Sequence, residues 1–83
     1  MEYWKGPSES LLGIGTIWTE FDENGYAVRQ VEKYGNKWFS SREEYHDDVG
    51  PGLYDGHIKE LDLSDSNTIT KQEFETVWQE SLK

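Results

Sequence analysis

The sequence predicts a single α+β domain over 1–83: a small antiparallel β-meander of three or four strands, packed by a C-terminal amphipathic helix. Three observations predict it. Two tight turn signals, DENG at 22–25 and GN at 35–36, join three β-rich runs. Phe74, Val77, Trp78 and Leu82 recur at i, i+3, i+4 and i+8, the apolar stripe of a helix. Eighty-three residues with four Trp, five Tyr and three Phe concentrate the apolar area in a few large side chains, enough for one small core.

Residues 1–13 mix Gly6, Pro7 and Ser with scattered apolar residues, which predicts a loosely ordered start with Tyr3 and Trp4 docking on the core. GTIWTEF then alternates Ile17, Thr19 and Phe21 against Trp18 and Glu20, a strand with one buried face. In the DENG turn, Asn24 and Gly25 tolerate positive φ. YAVRQVEKY is the second strand of this meander, and its apolar phase slips between Val28 and Val31, which predicts one bulge. Gly35-Asn36 is a two-residue hairpin loop into KWFSS. Ser40 and Ser41 each have a Glu three residues on, so SSREEYHDD predicts a short capped helix. VGPGLYDG reads as an irregular loop, and HIKELDL fits either a helix or an edge strand.

Charge narrows the partners. Eight basic against seventeen acidic side chains leave a net charge of −9. From Arg42 to Asp65, eight acids (Glu43, Glu44, Asp47, Asp48, Asp55, Glu60, Asp62 and Asp65) face two bases (Arg42 and Lys59), which places −6 of the −9 in that stretch. Such a surface repels nucleic acid and anionic membranes and attracts a basic protein, although acids also serve plain solubility. Without Cys there is no disulfide framework, thiolate metal site or cysteine nucleophile. No apolar run approaches a membrane span and MEYW lacks a basic secretory start, so a cytoplasmic protein is expected. His46 beside Asp47 and Asp48 is a poor general-base pair, because neighbours on a short helix point apart. With no phosphate loop and no nucleophile elbow, the chain reads as a non-enzyme without cofactor.

DLSDSNTITKQEF, 62–74, resembles a calcium loop, with Asp62, Ser64, Ser66, Ile69 and Glu73 at positions 1, 3, 5, 8 and 12. Asn67 stands where that loop needs Gly, and only Asp62 and Glu73 bring charge. Thr70 with Glu73 makes a capping box, and Ile69 is placed to staple onto Phe74. A capped helix is therefore the expectation and no metal site is assigned; a calcium-binding regulator remains the alternative, beside an acidic intracellular adaptor.

TEFDENGYAVRQVEKYGN carries E-x-D-x-x-G-x-x-x-R-x-V-E, and ITKQEFETVW carries I-x-x-x-E-F-x-x-V-W. Over roughly 15–40 and 58–80 this resembles a family of small, mostly uncharacterised bacterial proteins similar to immunity proteins of contact-dependent inhibition and other polymorphic toxin systems. Its usual first strand, with a Trp and a His, is poorly matched by YWKGPSESLLG. Glu20, Asp22, Gly25, Arg29, Val31, Glu32, Phe74 and Trp78 match the pattern. The resemblance implies an inhibitor bound 1:1, as a monomer, to one cognate toxin domain. Nuclease toxins are basic because they hold phosphates, so an inhibitor occludes their cleft with acids and aromatics. The expected toxin-binding residues are Glu43, Glu44, Tyr45, Asp47, Asp48, Tyr54 and Asp55. Arg29 is expected to pair with a carboxylate on the neighbouring strand.

Overall fold

A computed structural model describes residues 1–82. The chain runs β1 (Glu2–Ser10), β2 (Gly13–Phe21), β3 (Ala27–Tyr34), β4 (Lys37–Ser40), β5 (Tyr45–His46), β6 (Gly50–Pro51), a 3₁₀ turn (Ile58–Glu60), β7 (Asn67–Thr68) and α1 (Lys71–Glu80). Five strands form one antiparallel sheet in the order β4-β3-β2-β1-β7, and β5 and β6 form a separate ribbon. The meander and closing helix are as the sequence predicts, but the sheet holds one strand more than the largest expected number.

The loosely ordered start is the main correction. β1 pairs with β2 along its whole length, from Glu2 opposite Phe21 to Ser10 opposite Gly13. Pro7 is tolerated because β7 covers β1 only at Trp4 and Lys5, leaving the outer edge beyond them open. The expected bulge is present: Glu20 faces Arg29 while Phe21 faces Ala27, so Val28 is the extra residue on β3. Gly35 has φ +62 and Asn36 has negative φ, the pattern of a II′ loop that suits strand twist. In the DENG turn only Gly25 takes positive φ; Asp22 Oδ1 accepts from the amides of Asn24 (2.9 Å) and Tyr26 (3.0 Å).

Pleating sends Tyr3, Trp18, Glu20, Arg29, Val31 and Trp38 to one face, where α1 lies. Tyr3, Trp18, Val31 and Phe74 form the buried core, with Trp38, Ile69, Val77 and Trp78 packed against it. Leu82 departs from the expected stripe: it lies past the helix end and is exposed. Trp4, Ile17, Thr19, Phe21, Gln30 and Glu32 point to the opposite face, which residues 49–66 cover. Three contacts seat this cover: the Tyr54 amide donates to Gln30 Oε1 (2.9 Å), the Ile58 amide to Gly25 O (2.8 Å), and His57 Nε2 meets Asn24 O at 2.7 Å. Both faces of β2 are therefore covered, which corrects the single buried face expected for it. HIKELDL, open to helix or edge strand in the sequence, forms one short 3₁₀ turn over Ile58–Glu60, capped by His57 and Leu61.

Candidate functional site

The expected helix over SSREEYHDD does not form. Its two serines are engaged elsewhere: the Gln30 amide of β3 donates to Ser41 Oγ (3.0 Å), and the Arg42 guanidinium reaches Ser40 Oγ (3.1 Å). The chain instead folds back as the ribbon of Tyr45–His46 against Gly50–Pro51. His46 anchors it, with Nε2 2.8 Å from Ser40 O, Nδ1 3.2 Å from Glu43 Oε2, and its ring edge-on to Phe39. Gly52 is buried and its amide donates to Glu44 O (2.9 Å); a Cβ there would stand 2.1 Å from Glu43 O.

Arg42 ties this ribbon's root to α1. Its guanidinium lies over the Trp78 ring at 3.7 Å and donates to Trp78 O (2.7 Å) and Ser81 Oγ (2.8 Å), favourable for a cation at a helix C-terminus. Arg42, the cation that precedes the acidic run in the chain, is thus turned toward the helix. Glu43, Glu44, Tyr45, Asp47 and Asp48 are all exposed on the ribbon and its turn. The two remaining expected residues lie elsewhere. Tyr54 belongs to the cover, with its hydroxyl donating to His57 O (3.1 Å), and Asp55 is exposed beside it. The structure thus gathers five of the seven residues on one short, anchored projection.

The sequence leads us to expect a neighbouring-strand carboxylate for Arg29 without naming it; the partner is Glu20 on β2, with Arg29 Nε 2.6 Å from Glu20 Oε1. Sequence reasoning did not anticipate Glu75, which reaches the same guanidinium from α1. Arg29 hydrogen bonds hold the Glu20 and Glu75 carboxyls below their usual range, and burial pushes the Tyr3 hydroxyl up.

The 62–73 loop is built as a helix entry. Thr70 Oγ1 accepts from the Glu73 amide (3.1 Å), and Ile69 packs against the core cluster that contains Phe74. Asn67 and Thr68 pair with β1, and Asp62 Oδ1 accepts from the Ser64 amide (3.0 Å), which lowers its pKa. Thr70→Ala is expected to cost about 1 kcal/mol, equally in calcium or chelator; a melting temperature that rises with millimolar calcium would contradict this. Among the described residues, no group of three or more His, Cys, Asp or Glu side chains is gathered to hold a metal ion, and no helix is long and apolar enough to cross a membrane. Comparison with known proteins finds no matching family model, curated protein or solved structure.

Proposed function

We propose that this protein is an inhibitor of a basic toxin domain, an immunity protein that presents the acidic ribbon of residues 43–48 to its partner. The observation that supports this reading is the display of Glu43, Glu44, Tyr45, Asp47 and Asp48 on an anchored hairpin whose neighbouring cation, Arg42, is engaged by the helix. Anchoring lowers the ordering cost of binding, the carboxylates steer a basic partner, and the Tyr45 ring offers apolar contact at the centre of the patch. The sequence resemblance to toxin-system proteins points to the same partner class, with cleft occlusion in the cytoplasm as the mode of action.

The test is co-expression with the cognate toxin domain, to be sought in the gene immediately upstream. Glu43/Glu44→Lys and Asp47/Asp48→Lys are expected to fold normally, within about 0.5 kcal/mol of the parent, because exposed charges carry little stability. Protection should fail, since a carboxylate buried against Arg or Lys costs about 2–5 kcal/mol when removed. Association of the parent should slow with added salt, as screening shortens the field to about 10 Å near 0.1 M. Full protection by both variants, with salt-independent rates, would refute the assignment.

A further inference from the structure

Between the second face of the sheet and its cover lies a cavity of about 420 Å³. Trp4, Ile17 and Phe21 line it from the sheet and Leu53, Leu61 and Leu63 from the cover. Its size falls at the small end of the range, roughly 300–1,000 Å³, typical of sites for small molecules.

Two polar groups on the sheet wall lack the partners that burial normally demands. Glu32 is 7% exposed, and its carboxylate accepts only from neutral donors: Tyr34 OH (2.7 Å), Gln30 Nε2 (3.3 Å) and Ser8 Oγ (3.5 Å). Among the described residues, no Lys, Arg or His forms an ion pair with it. Trp4 Nε1, a donor, is buried without any acceptor. Buried carboxylates are normally paired with a cation, and buried indole N–H groups normally find an acceptor. Glu9, Asp55 and Asp62 are exposed lining residues of the same cavity, so the field there is negative outside as well as within.

We propose that this cavity binds a small organic cation: a protonated amine on an aromatic or branched aliphatic body. The ammonium pairs with Glu32, and the body packs on Phe21, the Trp4 ring and the three leucines. The neutral donors around Glu32 hold its carboxylate in place, so the charge-assisted bond forms without reorganisation. The apolar wall alone would accept an anion of equal shape; the lone carboxylate and the outer acids reject it. This site does not depend on the toxin partner, since from the acidic ribbon and its turn only Val49 and Pro51 reach the wall.

The test uses the intact protein in a ¹H–¹⁵N NMR titration with tyramine, following the Trp4 indole signal. The acid of matching shape, 3-(4-hydroxyphenyl)propanoate, is the control. Tyramine is expected to shift the Trp4 signal saturably at concentrations up to about 10 mM, enough to saturate a millimolar site; the acid is not. Glu32→Gln preserves size and the neighbouring donors and should weaken tyramine about tenfold or more, the value of a charged hydrogen bond. Should Glu32→Gln fail to fold, the amine-over-acid preference decides, measured on the parent and on Trp4→Phe, which retains the carboxylate and is read on the Leu53 and Leu61 amides. Absence of a saturable shift, equal binding of the acid, or unchanged tyramine affinity in folded Glu32→Gln would each overturn the proposal. So would an oligolysine peptide that saturates the cavity at lower concentration than tyramine, which would assign the site to a protein partner.

Discussion

Arg29→Ala is expected to destabilise the protein by about 3–5 kcal/mol, the cost of stranding one member of a buried ion pair. A domain of this size has about 5–15 kcal/mol in total, so much of the population should unfold near physiological temperature. The stranded group is Glu20, 5% exposed, which Arg29 engages through Nε (2.6 Å) and Nη2 (3.1 Å). Glu75 is more than a third exposed on its side chain, and solvent screening leaves it a minor share. The guanidinium also lies 5.0 Å from the Phe74 ring centre and 5.1 Å from that of Trp78, so its loss opens a gap between sheet and helix.

Urea denaturation of the variant checks the size of the effect, and the double change Glu20→Gln/Arg29→Met separates its causes. If the uncompensated charge dominates, the double variant regains most of the stability lost by Arg29→Ala. A single variant within about 1 kcal/mol of the parent, a margin of about fivefold in the equilibrium, would show that the network contributes little. The same network sets the acid limit. Glu20 and Glu75 ionise at lower pH in the fold than in the unfolded chain, where the ordinary value is 4.5. Their contribution is therefore complete above about pH 4.5 and is lost as pH falls through the folded values. Melting temperature should drop steeply across that acid range in the parent and less steeply in the double variant.

Phe74→Ala is expected to cost a similar amount, about 3–5 kcal/mol, through lost burial and the cavity left behind. The ring is fully buried, lying 5.6 Å from Tyr3 and 6.3 Å from Trp78, with Val31 also at 0% exposure in the same cluster. Tyr3 and Val31 sit in the sheet and cannot follow a shortened side chain. At about 4–8 °C per kcal/mol for a domain this small, melting should fall by more than about 12 °C. Calorimetry showing a fall of only a degree or two would mean that the helix is not what closes the core.

Three parts of this protein follow from the sequence alone, each because its signal is local. Gly35-Asn36 closes a hairpin through its own backbone preference. Thr70 and Glu73 start α1 through a bond between residues three apart. The slip in period at Val28 marks the bulge because side-chain alternation belongs to the strand itself. The acidic run is also plain in the sequence, but its shape is not. Ser40 and Ser41 look like helix caps until β3 and Arg42 take their hydroxyls, and a short hairpin results.

Tertiary structure decided β1 and the second covered face. Gly6, Pro7 and Ser8 have poor strand propensity, and Leu11-Leu12 carries no turn signal, so only pairing with the whole of β2 makes 2–10 a strand. Glu32 alternates with Val31 and Lys33 in a way that suits a solvent-facing carboxylate. It is buried because residues 49–66, which have no periodicity of their own, return across the sheet and are fastened by Gln30, Gly25 and Asn24. Burial on that face depends on contacts between segments far apart in the chain, and a pattern read one strand at a time does not contain them.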